Sequence, residues 1–172
     1  IVLDNPKTIR TLRDLVIAEY RKIARLLKNP LFWIPTGMIE GFELVNKYRR
    51  RIGSLVTHLN QASDTVDPIF YNAPAVVVLS ASGHRAMASA SCNLAAMQLL
   101  LAADSVGMGT CYNGYTLAAL TRSRKLRRWA EIPKGYFPGA VIALGHPDVS
   151  FHSVPSRRSP RIIWKDDAPI ST

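Results

Sequence analysis

Cysteine is scarce in this 172-residue chain, with only Cys92 and Cys111 present. Two thiols cannot make the multi-bridge framework of a small secreted domain. One falls in a helical pattern and the other in a helix-terminal loop, so both are read as reduced thiols of a cytoplasmic protein. Histidine is sparse too. His58, His84, His146 and His152 stand at no metal-ligand spacing from one another or from a cysteine, and no metal is assigned. A Gly-x-Ser-x-Gly elbow and a Walker phosphate loop are both missing, which leaves hydrolase and phosphotransferase readings without support. No uninterrupted apolar run reaches the ~18 residues of a membrane span. The start lacks a signal-peptide layout, because Asp4, Asn5, Pro6 and Lys7 follow almost at once. Acidic residues are few: 12 against 22 Lys and Arg, a formal charge of +10.

Much of that charge lies in Arg49-Arg50-Arg51 and between Arg122 and Arg128. Such runs are either solvated helix faces or attractors of anions, whether nucleic acid, a phosphorylated cofactor or an acidic partner. No nucleic-acid recognition motif accompanies them. Nearly half the residues are apolar and no segment is of low complexity, so the chain reads as one layered domain over residues 1–172.

Local signals outline the elements. Ile1-Val2-Leu3 reads as the tail of a strand. Asn5 suits a helix N-cap and Pro6 the first helical position. Ile9, Leu12, Val16, Tyr20, Ile23 and Leu27 then recur at helical period, up to Asn29-Pro30. Leu31 to Gly37 reads as a loop carrying Phe32, Trp33 and Pro35. Phe42, Val45, Tyr48, Ile52, Leu55 and Leu59 form the stripe of a second helix. Ala75 to Ser80 is a valine-rich strand fit for the middle of a covered sheet. His84 to Val106 is a long helix rich in alanine and serine, read as buried and suited to a subunit contact. Leu117 to Ala130 reads as one basic helix with Leu120 and Leu126 inward. Gly139 to Leu144 is a further apolar strand, and Arg161 to Trp164 a final short one.

The long helix runs into Leu101-Ala102-Ala103-Asp104-Ser105-Val106-Gly107-Met108-Gly109-Thr110-Cys111-Tyr112-Asn113-Gly114-Tyr115. Glycine accepts the left-handed backbone of a helix end and lets the main chain approach a flat ligand closely. Gly107-Met108-Gly109 is no dinucleotide fingerprint, since it closes a helix instead of opening one. Upstream stands Asn72-Ala73-Pro74-Ala75-Val76-Val77-Val78-Leu79. Downstream stand Pro133-Lys134-Gly135-Tyr136 and Ala140-Val141-Ile142-Ala143-Leu144-Gly145-His146-Pro147. In this order and spacing the three blocks resemble the FMN-dependent nitroreductase family.

The resemblance implies a mixed α/β (α+β) nitroreductase-like fold, with a central sheet covered by helices on both faces, and a homodimer sharing its flavin sites. It implies that the loop Tyr112-Asn113-Gly114 runs along the isoalloxazine edge, with backbone N–H groups of Asn113 and Gly114 near N5 and O4. Many relatives carry Glu-Gly at this pair, so Asn113 is a departure, and a turn glycine is the alternative reading of Gly114. The tail Val154-Pro155-Ser156-Arg157-Arg158 is similar to the family's basic pair after a proline. That assigns Arg157 and Arg158 to the FMN phosphate, against the alternative of a basic surface turn. His146 and His152 are weaker candidates. Cys111 reads as a packing residue. Phe32 and Trp33 either cover a ring-shaped substrate or fill the core.

Two family motifs are missing, an Arg-x-Ser-x-Arg-x-Phe segment and an Asn-x-Gln-Pro stretch. In relatives both precede the strand that here opens at Ile1. The expectation is therefore a family domain lacking its N-terminal segment. Pro155 to Trp164 is similar to a subgroup carrying an N-terminal ferredoxin module, which would need cysteines of its own. The activity implied is flavin-borne, with no catalytic side chain: a hydride from NAD(P)H, or electrons from ferredoxin, passed through N5 to a nitroaromatic, quinone or similar acceptor in a ping-pong cycle. A non-catalytic flavin-fold redox or ligand-binding module is the alternative.

Overall fold

The computed structural model describes residues 1–31, 34–35, 38, 42–148, 153 and 156–164. Nine elements follow in order: β1 (Val2–Leu3), α1 (Pro6–Lys28), α2 (Phe42–Leu59), β2 (Ala75–Ser82), α3 (Arg85–Ser105), β3 (Gly109–Tyr112), α4 (Gly114–Arg122), α5 (Arg124–Trp129) and β4 (Tyr136–Gly145).

The capping expected at Asn5 is present. Its side chain accepts from the Lys7 N–H at 2.9 Å, and Pro6 occupies the first turn of α1. The buried residues of α1 include Ile9, Leu12, Val16 and Tyr20, the stripe its period requires. Arg13 is buried as well. Its guanidinium donates to Asp14 Oδ1 at 2.9 Å and to the Ser63 carbonyl at 2.8 Å, which ties α1 to the segment after α2.

The sheet has the order β1-β2-β4-β3, and every neighbouring pair is antiparallel. Alternation along β2 and β4 divides the core between its two faces. Val76, Val78, Val141 and Ala143 join Leu12, Val16, Leu120 and Leu126 under α1, α4 and α5. Ala140 and Ile142 join Cys92 and Ala96 of α3 on the other face. The sheet is thus covered on both sides, as the valine-rich β2 segment requires. Small side chains on α3 have a defined use. A Cβ on Gly139 of β4 would collide with the Cβ of Cys92, so helix and strand approach more closely than larger residues permit.

Where α3 stops, Gly107 has φ +75°, its N–H donates to Asp104 O, and the Met108 N–H donates to Ala103 O. That is a Schellman motif, and it needs the left-handed residue that glycine supplies.

Several expectations are corrected. The helix expected over Leu117 to Ala130 is two helices. Ser123 separates them, closing α4 with its backbone and capping α5 by accepting from the Leu126 N–H. Arg161 to Trp164 is exposed chain without strand pairing among the described residues, although β1 and β3 each have only one partner in the sheet. Pro30, Leu31, Ile34 and Pro35 have helical backbone in place of the expected loop, while Phe32, Trp33 and Gly37 lie outside the described residues. Helix α3 is buried along one stripe only, with Met87, Leu94, Met97 and Leu101 outward and exposed. By length and composition alone, α3 could also cross a membrane.

Candidate functional site

The site grows out of one end of the sheet. β2 finishes at Ser82 opposite Tyr136, where β4 begins, and β3 finishes at Tyr112 opposite Ile142. Helices α3 and α4 both start there.

Asn113 leads from β3 into α4 and is only 5% exposed. Its Oδ1 accepts from the Thr116 N–H at 2.8 Å and caps the helix. Its Nδ2 donates to the Ile69 carbonyl at 2.6 Å, and its backbone N–H donates to Val141 O at 2.7 Å. Asn113 is therefore occupied in holding the turn in place. Among the described residues, the one buried side-chain atom without a hydrogen-bond partner is nearby: Oγ1 of Thr116.

Gly114 is the first residue of α4. Its N–H and that of Tyr115 have no helix carbonyl upstream to bond, and they stand at the positive end of the helix dipole. A Cβ added at Gly114 meets nothing within 4 Å, and φ is not left-handed. Neither a left-handed φ nor a steric clash requires glycine here. Gly114 lines a cavity.

That cavity, of about 730 Å³, lies between α2 and the start of α4. Five of the chain's six tyrosines line it, Tyr20, Tyr48, Tyr71, Tyr112 and Tyr115, as an aromatic wall for a flat ligand. Arg51, His58 and Arg122 also line it, and among the described residues no carboxylate does. Tyr20 and Tyr115 meet edge to face with ring centroids 6.0 Å apart, and the Tyr20 hydroxyl donates to the Tyr115 carbonyl at 3.1 Å. Burial raises the Tyr20 pKa; the Arg122 charge opposes that rise and Tyr115 adds to it. The Tyr112 hydroxyl is directed at Asn93 Oδ1 (2.8 Å) and the Gly139 carbonyl (2.9 Å). Its pKa is also raised, by burial first and then by Cys92.

Of the residues singled out from sequence, Tyr112, Asn113 and Gly114 come together at this cavity, with Cys111 beside them. Cys111 is an exposed free thiol. Cys92 is free but buried, and burial pushes its thiol pKa up against the opposing effect of a Gly139 backbone hydrogen bond. Arg157 and Arg158 are exposed, in a stretch without regular structure, and line none of the described cavities. His146 is exposed beyond β4, while His152, Val154 and Pro155 lie outside the described residues. Among the described residues, no cluster of His, Cys, Asp and Glu could hold a metal.

Sequence reading missed Tyr48, Arg51 and His58 of α2 and Arg122 of α4. The spacing of Tyr48, Arg51, Leu55 and His58 does place them near one helix face. Only the rotation of α2 against α1 turns that face to the Gly114 side.

The chain is similar to known proteins in family and fold. The family model described as "Nitroreductase family" matches residues 1–146. Comparison with curated proteins finds no match. A nitroreductase with bound FMN from Bacteroides fragilis shares 17% identity at a TM-score of 0.64, over 96% of this chain and 74% of that one. A nitroreductase with bound FMN from Desulfitobacterium hafniense shares 21% at 0.54, over 91% and 70%. An iodotyrosine deiodinase bound to FMN and 3-iodo-L-tyrosine shares 14% at 0.52, over 98% and 74%. Identities this low speak for the fold alone; the family match spans most of the sequence, and the chain belongs to the nitroreductase family.

Proposed function

We propose that the cavity beside Gly114 holds FMN, and that the chain is an FMN-dependent oxidoreductase. The observation that carries this reading is Gly114, the first residue of α4, lining about 730 Å³ of tyrosine-lined space, with nothing within 4 Å of where its Cβ would be. An N–H at a helix start suits an electronegative ring edge. The tyrosines suit a flat ring. Arg51 and Arg122 offset negative charge, with no competing carboxylate among the described residues. Arg157 and Arg158 remain the proposed phosphate partners, from the exposed tail.

When bound, FMN supplies the hydride chemistry, with NAD(P)H or a ferredoxin as donor and a nitroaromatic, quinone or similar compound as acceptor in a ping-pong cycle. The chain's own part is to orient and to neutralise: Gly114 donates a hydrogen bond, the tyrosines exclude water, and no side chain acts as acid or base. Two free thiols suit the reducing cytoplasm proposed here. A homodimer is part of the reading, and the outward stripe of Met87, Leu94, Met97 and Leu101 gives it a surface.

One observation favours the alternative of a non-catalytic flavin-fold module. The Asn113 N–H, one of the two backbone donors expected for the flavin, already bonds Val141 O at 2.7 Å. Thiol labelling separates occupancy from turnover. Saturating FMN slows modification of Cys111, which lines the cavity, and NADH or NADPH is then oxidised faster when a nitroaromatic is added. Protection without turnover selects the non-catalytic module. Unchanged Cys111 labelling removes FMN from this cavity.

A further inference from the structure

Helix α4 is a partition. Gly114, Ala118 and Arg122 face the tyrosine-lined cavity, while Leu117 and Thr121 face a second cleft of about 860 Å³ on its other side. This cleft is the most cationic concavity among those described. Arg85 reaches it from the start of α3, Arg124 and Arg128 from α5, and Lys134 from the turn before β4. Among the described residues, no carboxylate lines it.

A fifth cation is fixed in the wall. Arg127 is half-buried, and its Nη1 donates to the carbonyls of Leu120 at 3.0 Å and Thr121 at 2.8 Å. Those carbonyls lie in the last turn of α4, where a cation is favoured by the helix dipole. Like charges gathered in a concavity repel one another, and that repulsion is relieved when an anion enters. Tyr136 and Phe137 line the same cleft and are partly exposed, so a ring can lie beside the charges.

We propose that this cleft is a second ligand site, for a small molecule carrying two or more phosphates on a ring-bearing body, the chemistry of a nucleoside diphosphate. A phosphate pair matches cations that converge from three elements, and a concave cleft suits a small molecule better than a polymer lying across a convex face. The site stands independently of the flavin reading, because α4 separates the two cavities.

Calorimetric titration of the full chain with ADP, pyrophosphate, adenosine and a single-stranded oligothymidylate tests it, with and without saturating FMN. A failure of FMN to bind therefore leaves the readout intact. ADP is expected to bind more tightly than pyrophosphate, and adenosine to bind at least tenfold more weakly than ADP. The double variant Arg124→Gln/Arg128→Gln alters exposed side chains, and is expected to weaken ADP at least tenfold while leaving the melting temperature and FMN affinity unchanged. Raised salt is expected to weaken ADP binding in the native chain more than in the variant. The proposal is overturned if ADP does not bind, if the variant binds it equally well, or if adenosine matches ADP. It also fails if pyrophosphate matches ADP, if FMN displaces ADP, or if the oligonucleotide binds the cleft more tightly than ADP.

Discussion

The carboxamide nitrogen of Asn113 donates to the carbonyl of Ile69 at 2.6 Å, joining the turn at the head of α4 to a segment 44 residues earlier. The same side chain caps α4 through Thr116 N–H. Both bonds are buried, so neither is replaced by water when the side chain is cut away.

Asn113→Ala should therefore cost more than a surface cap. Loss of an N-cap is worth ~1 kcal/mol, and a buried carbonyl left without its donor about 1–3 kcal/mol. A total of roughly 2–4 kcal/mol is expected in urea unfolding. A cost below about 0.5 kcal/mol, the level of an ordinary surface change, would show that Asn113 does not hold the turn.

Gly139 and Gly114 should respond oppositely to a methyl group. At Gly139 a Cβ collides with Cys92 and lies 3.4 Å from the Ser89 backbone. Overpacking of that kind costs ~1–3 kcal/mol. At Gly114 the added Cβ meets nothing, so stability should hold or rise slightly while ligand affinity falls. Thermal melts of Gly139→Ala and Gly114→Ala, run side by side, check the contrast.

Alkaline pH should destabilise the fold. Burial raises Cys92 above its ordinary 9.0, and Tyr20 and Tyr112 above their ordinary 10.0. Each group holds its proton more tightly folded than unfolded. The resulting stability is fully present below pH 9, and declines as pH rises past the ordinary values toward the raised ones. Urea midpoints at pH 7, 9 and 10.5 are expected to fall across that range in the native chain, and to fall less in Tyr112→Phe.

The outward stripe of α3 predicts an assembly. Met87, Leu94, Met97 and Leu101 recur at helical spacing and are exposed, Leu94 by 72%. Sedimentation of the native chain should report a dimer, and Leu94→Glu/Leu101→Glu a monomer. A native monomer with this face open would contradict the proposed homodimer.

Much of the fold was legible because its determinants are local. Asn5 and Pro6 announce α1, Gly107 ends α3, and the valines of β2 require cover on both faces. The break at Ser123 was hidden because apolar residues continue in helical register through it. Only the Leu126 N–H accepted by its hydroxyl, and its own bond to Glu19 Oε1 at 2.9 Å, reveal a cap. Arg161 to Trp164 has the composition of a strand, yet it pairs with neither edge of the sheet, β1 or β3; pairing is decided by where the chain runs, not by composition. The flanking blocks single out Gly114, and it does line the candidate cavity. Arg51 was not legible, because the face that α2 turns to the cavity is decided by its packing on α1, which is a tertiary fact.

The central claim is that the Gly114 N–H meets the flavin edge, and the substitution Gly114→Pro isolates it. Proline is tolerated at the first position of a helix, and Asn113, with φ −96° and ψ 91°, is extended and not in the helical region that a following proline disfavours. FMN fluorescence titration of the native chain and this variant is the direct measurement. Loss of one net hydrogen bond, ~0.5–1.5 kcal/mol, together with intrusion of the ring, predicts affinity weakened by about tenfold or more at an unchanged melting temperature. FMN bound equally tightly by both would contradict the account.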